Sequence, residues 1–376
     1  MSDPVIEDIR LALVEAPLRE PIVAPFGRLT TRRNLLVLVE LAGGCTGIGE
    51  VWANFPPWGC RERIEILRNV VRPLLRGETL DDPRRLHGIL HARMRSLANQ
   101  LGAVGPFHQA AAGADIALWD ARARWMDMPL ADLLRGAIRA ARAPVYATNL
   151  PSARPEMVDA MAAKGHTRFK FRMPTVEADL LRALEEFRAA AGNRALMTDA
   201  AQGYDPESLA KNIPALDRAG LRWPEEPFPV DDVAAYVRWR KQGSRTPIAM
   251  GENSYGLDGF DRLLGEIAPD IVQPDITKTG GISQGAEICR RMKAAGRTVC
   301  LHMYGGPVGL YASAHLAASL EPAPWVEMDS KPNPLFERIL QAEPRIEAGE
   351  LVLPPGPGIG NVFNEEVLRA ADVTEL

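Results

Sequence analysis

Apolar and polar positions alternate through residues 6–15 (IEDIRLALVE), and an almost continuous β-prone run follows at 34–41 (NLLVLVEL). The turn-rich GGCTGIGE at 43–50 then returns the chain, so the opening reads as antiparallel strands. The period changes next. Residues 61–75 and 108–126 carry apolar positions at helical spacing, and Pro129 and Gly136 punctuate their end. Together these predict an α+β segment of about 130 residues.

From Val145 onward a repeat sets in. Short apolar runs occur at 143–150, 167–173, 195–200, 221–226, 247–252, 270–275, 297–303 and 323–329. Helical patterns such as 177–192 and 281–296 fill the intervals, and Gly296 stands where a helix would stop. Eight strands alternating with helices at a steady period of roughly 25 residues suit a closed barrel. An open doubly wound sheet is the competitor, but no Gly-rich turn follows the first strand. The predicted class is α/β, with an N-terminal cap over 1–130 and a barrel over 140–335. The Pro/Gly-rich tail, about 335–376, is expected to return to the cap.

Composition narrows function more than fold. The 376 residues are 46% apolar and 24% charged, with a net charge of −4. No basic block offers a nucleic-acid or anionic-membrane surface. No apolar run reaches the ~18 residues of a membrane span. The start, MSDPVIEDIRLALVEAPL, places acids where a signal peptide has a basic region, so a cytoplasmic protein is expected. The four cysteines lie at no metal-binding or CxxC spacing and are expected to be reduced.

Barrel chemistry sits at the C-terminal ends of the strands. Asp199, Glu225 and Glu252 end three successive runs, 26 and 27 residues apart. Carboxylates brought together this way repel unless a cation lies among them, so the spacing points to a divalent metal. In the fourth run Glu225 and Glu226 compete, and only one is expected to face inward. On the second run Lys170 and Arg172 share a face, with Phe171 turned to the helices. Asp275 and His302 end the sixth and seventh runs at matching depth, which favours a carboxylate–imidazole hydrogen bond. Glu327 ends the eighth run, and Asp329 follows on the same face. The other histidines (87, 91, 108, 166 and 315) are read as packing residues.

This set of strand ends resembles the enolase superfamily, and within it the mandelate racemase subgroup. GIGE (47–50), ADIALWD (114–120) and PDITKTGG (274–281) extend the resemblance over the chain. The resemblance implies a modified (β/α)7β barrel under an α+β cap. It implies Mg2+ held by Asp199, Glu225 and Glu252, and a general-base dyad of His302 and Asp275. Lys170, Arg172 and Glu327 would attend a carboxylate substrate whose α proton is removed. Many members carry Lys-x-Lys where this chain has Lys170-x-Arg172, and a guanidinium is a poor proton acceptor. That favours one-base dehydration of a sugar acid over two-base racemisation. A racemase, epimerase or lactone cycloisomerase on the same scaffold is the alternative, and an inactive metal-binding barrel a remoter one. A homo-oligomer is expected from the resemblance. Two cap segments, 21–33 and 51–60, are read as loops that contact substrate. Phe26 and Arg28 are the candidates in the first, and Asn54, Phe55 and Trp58 in the second.

Overall fold

The computed structural model describes residues 3–24, 27–56, 58–137 and 142–369. The N-terminal strands Ile6–Ala24, Gly27–Leu41 and Thr46–Val51 form an antiparallel sheet in that order. Residues 21–24 and 27–33, expected within a loop, instead continue this ribbon, with Val23 opposite Arg28. The long β-prone runs carry the pairing as far as Ala24 and Gly27, so local strand propensity outweighs the Pro and Gly residues. Phe26 lies outside the described residues.

Helices Gly59–Ile66, Pro83–Leu101 and Val104–Trp125 cover the sheet. The second of these was not foreseen, although Asp82 caps it by accepting from Arg84 N and Pro83 opens it. Val104–Trp125 lies directly on the third strand. A Cβ at Gly49 would come within 2.0 Å of Gly113 O, so this close approach requires glycine.

Eight parallel strands form the barrel: Arg142–Leu150, Arg168–Arg172, Ala195–Asp199, Pro224–Glu225, Ala249–Met250, Ile271–Val272, Thr298–Leu301 and Trp325–Asp329. The eighth pairs with the first, Val326 opposite Val145, and closes the ring. Helices occupy every interval between consecutive strands. Phe171 stacks on Phe187 of the following helix at 4.2 Å, while Lys170 on the alternate face is fully buried. Tyr146, Met197, Trp223, Ala249, Ile271 and Cys300 pack as a separate cluster that fills the barrel below the strand ends. All four cysteines are free. Among the described residues no helix is long and apolar enough to cross a membrane.

Buried acids join the layers. Glu50, at the end of the third strand, accepts from Gly306 N at 2.6 Å and Gly309 N at 2.8 Å, at the start of helix Pro307–Ser319. Asp115 accepts from Ser283 N and Oγ at the start of helix Gly281–Ala294. Each puts a carboxylate against free N–H groups at a helix N-terminus, where the field favours it. Asp120 accepts from Ile48 N, Ile359 N and Arg124 Nε, linking a cap strand, a cap helix and the tail. A short hairpin in the tail, Ile346–Glu347 and Glu350–Val352, adds antiparallel to the first barrel strand.

Asp120 is fully buried, so Asp120→Ala strands three donors at once. We expect a loss of about 3 kcal/mol, read as a lower urea midpoint at unchanged slope. An unchanged midpoint would show that the tail does not depend on this residue.

Candidate active site

Strand register sets the site. In the second to fourth strands Arg172 lies opposite Asp199 and Asp199 opposite Glu225. The side chains therefore leave the barrel rim at one level. With Glu252, His302 and Glu327 they line a cavity of about 540 Å3, whose further walls include Trp52, Phe55, Tyr304 and Lys331.

Each acid meets a protein cation. Lys170 Nζ lies 2.5 Å from Glu225 Oε2 and 2.8 Å from Glu327 Oε1. Arg172 Nη1 donates to Asp199 Oδ2 at 2.9 Å. His302 Nδ1 lies 2.7 Å from Asp275 Oδ2, and its Nε2 lies 2.5 Å from Glu252 Oε2. Asp275 is itself held by Thr277 N and Oγ1, which fixes the carboxylate that orients the ring. Tyr146 donates its hydroxyl to Glu327 Oε2 at 3.1 Å.

Burial and charge oppose each other here. Desolvation pushes the Glu225 carboxyl up and Lys170 pulls it back, leaving it at about 7. Burial, then the charges of Glu252 and Glu225, push Glu226 to about 8. Burial would also raise Glu252, but His302 and Lys278 outweigh it and hold that group well below the usual range. The His302 imidazole is pulled down by burial and up by Glu252 and Glu327, and the acids prevail. Burial likewise lowers the Lys170 ammonium, while Glu225 and Glu327 hold it charged.

Both members of the Glu-Glu pair face the cavity, which corrects the expectation that only one could. Glu226 has left strand geometry at a φ of 37°. The positive φ turns its carboxylate back toward the cavity, where Gln202 Nε2 and Asn253 Nδ2 donate to it. Glu226 Oε1 is buried and, among the described residues, has no hydrogen-bond partner.

The cap candidates divide. Phe55 lines the cavity. Asn54 is buried and donates to Tyr304 O at 2.5 Å, so it holds the loop after His302 and does not face the cavity. Trp58 is 63% exposed, and Arg28 is exposed along the ribbon; neither lines the cavity. Their residue types suggested ligand contact, but strand phase turns Arg28 to solvent.

Sequence reasoning passed over several lining or supporting groups. Gln273 donates to Glu225 Oε2 at 2.6 Å, and Tyr304 lies two residues beyond His302. Both share strand phase with a residue already singled out, Asp275 and His302 respectively, and that period could have found them. Lys278 donates to Asn253 Oδ1 at 2.9 Å and lies 4.8 Å over the Trp52 ring. Trp52 comes from the cap, and no local pattern announces that contact.

The N-terminal domain model of the mandelate racemase / muconate lactonizing enzyme family matches residues 7–135, and an enolase C-terminal domain-like model matches 153–367. The chain is 27% identical to muconate cycloisomerase 1 of Rhodococcus opacus over 98% of this chain and 99% of that protein. It is 29% identical to arabinonate dehydratase of Saccharolobus solfataricus, covering 88% of each. It is also 29% identical to D-galactarolactone cycloisomerase of Agrobacterium fabrum, over 96% and 97%. A solved mandelate racemase/muconate lactonizing enzyme from Bordetella bronchiseptica superposes with a TM-score of 0.84 at 32% identity, over 98% and 99% of the two chains. Closed barrel, cap and both matched domains agree: the chain belongs to the mandelate racemase / muconate lactonizing enzyme family of the enolase superfamily.

Proposed function

We propose that this protein removes the proton α to a carboxylate, with His302 as base, and then eliminates a β hydroxyl as water from a sugar acid. The product is a 2-keto-3-deoxy acid. The observation that carries the reading is the His302–Asp275 pair at 2.7 Å, opening on a cavity with Asp199, Glu225 and Glu252. We take the cap as 1–130 with the tail 335–376, the barrel as 140–335, and the active protein as a cytoplasmic homo-oligomer.

Asp199, Glu225 and Glu252 suit a magnesium ion by donor chemistry. All are hard carboxylate oxygens, and they come from adjacent strands on one cavity. Among the described residues no such trio is gathered as a ready cluster. The reason is visible in the pairing: Arg172 draws Asp199 away, and His302 draws Glu252. Burial raises the Glu225 carboxyl in spite of Lys170, so a further cation beside it would be favourable. When bound, Mg2+ supplies charge that stabilises the second negative charge formed on the substrate carboxylate.

The chain's own groups do the rest. Asp275 orients the His302 ring through Nδ1; with Glu252 turned from Nε2 toward the cation, the ring would lose the acid that holds it protonated, and Nε2 would be free to take the α proton. The imidazolium then returns that proton to the departing β hydroxyl on the same face, a syn elimination. Lys170 presents a fixed positive charge to the enediolate, and the Glu327 carboxylate, accepting from Lys170 and Tyr146, holds that ammonium in place. Arg172 stays cationic, so it supplies no second base on the opposite face.

Cycloisomerisation is the second reading, supported by likeness to muconate and galactarolactone cycloisomerases along nearly the whole chain. It uses the same α-proton chemistry but forms no 2-keto acid. Semicarbazide trapping of products from a sugar-acid library separates the two: a trapped 2-keto acid supports dehydration, and a lactone isomer supports cycloisomerisation.

His302→Asn should lower turnover by about 10^3-fold or more, while Mg2+ still raises the melting temperature. Substantial remaining turnover would remove His302 as the base. Chelation should abolish activity, and Mg2+ should restore it. Saturating Mg2+ at about 100 times its Kd adds roughly 2.7 kcal/mol to wild-type stability. Glu225→Gln should lose most of that gain; an equal gain in this variant would place the ion elsewhere.

A further inference from the structure

The two sides of the cavity differ in how their cations are used. On the barrel side, Lys170 and Lys278 are both engaged, with Glu225 and Glu327 and with Asn253 respectively. Near the end of the eighth strand the balance is different. Asp329 accepts from Arg32 Nη2 at 2.7 Å, Asn149 Nδ2 at 3.1 Å and Lys331 backbone N at 3.1 Å. That carboxylate is spent. Arg32 is fully buried and lies 4.3 Å over the Tyr304 ring, and among the described residues its Nε and Nη1 have no hydrogen-bond partner. Arg172 is tied to Asp199.

Lys331 is left over. It lines the cavity and is half-buried, and among the described residues its ammonium forms no ion pair or side-chain hydrogen bond. Burial pulls this ammonium down; the Asp329 charge opposes it, Arg172 and Arg32 pull with burial, and Asp199 pulls back. A partly desolvated cation among other cations is costly unless an anion meets it. Arg32, Arg172 and Lys331 stand against Asp199 and Asp329, and Asp199 is the acid that the proposed cation would draw off, so this end of the cavity calls for an anion, which a second carboxylate of a sugar acid supplies.

We propose that Lys331, beside Arg172 and Tyr304, forms a subsite for a second carboxylate, so that the substrate is a sugar diacid carrying a carboxylate at both ends. This rests on the reading above, in which the other carboxylate is the reacting one. Lys331 is then a specificity-determining residue that touches the distal end of the substrate and takes no part in proton transfer. Its ammonium makes a charge-assisted contact that the neutral hydroxyl terminus of a monoacid cannot return.

The test uses the full-length protein with Mg2+ and three panels: hexaric diacids, the matching aldonic monoacids and aldonic acid 6-phosphates. The expected result is a kcat/KM at least tenfold higher for the preferred diacid than for its monoacid or phosphate. Lys331→Met should raise the diacid KM at least tenfold with a much smaller change in kcat, and Lys331→Arg should restore most of the loss. Monoacids or phosphates turned over as well as diacids would overturn the subsite while leaving proton abstraction standing. A Lys331→Met variant with an unchanged diacid KM would overturn it as well. If no acid in any panel reacts, the proposed reaction falls, and thermal protection by the diacids decides the subsite. Protection in wild type that is lost in Lys331→Met supports it, and equal or no protection overturns it.

Discussion

The structure turns on the burial of more carboxylate than a protein interior tolerates without compensation. Parallel register delivers Asp199, Glu225 and Glu252 to one rim, and Asp275, Glu327 and Glu226 join them around the same space. Desolvated anions at this density must be protonated, paired or shared with a cation. All three solutions are visible. Glu225 and Glu226 are pushed up toward the neutral form, Lys170 bridges two acids, and His302 lies between Asp275 and Glu252. The proposed chemistry uses this excess, since a metal ion and a substrate anion can enter only where the protein has left charge to be rearranged.

Such a site needs a rigid frame, and the same physics supplies it at the joint between cap and barrel. Glu50 and Asp115 are cap acids, yet each meets the N-terminus of a barrel helix. Glu50 reaches helix Pro307–Ser319, which begins five residues after His302. The cap is therefore fastened beside His302, the proposed base. Trp52 and Phe55, just beyond Glu50 in sequence, close the cavity from the cap. Position along one short segment thus couples fastening to enclosure.

How much of this the chain disclosed depends on how local the cause is. Helical and strand periods marked the barrel repeat, because each unit buries its own stripe against the next. The acids at 199, 225 and 252 were legible because a closed parallel sheet converts even sequence spacing into a common level. Glu226 was misjudged because a residue at positive φ does not obey strand alternation. The pairing of residues 22–24 with 27–29 was missed because Pro21, Pro25 and Gly27 read as loop signals, while strand propensity on either side prevailed. Lys331 carried no signal at all. Its meaning comes from what Asp329 and Arg32 already do, a long-range balance that no local window contains.

The central claim is that the three strand-end acids act together as one divalent-cation site. Electron paramagnetic resonance titration with Mn2+ measures this directly by counting bound ions per chain. The account predicts one tight Mn2+ per chain, displaced by Mg2+ and lost in Asp199→Asn. Absence of tight binding in wild type, or an undiminished count in that variant, would contradict it.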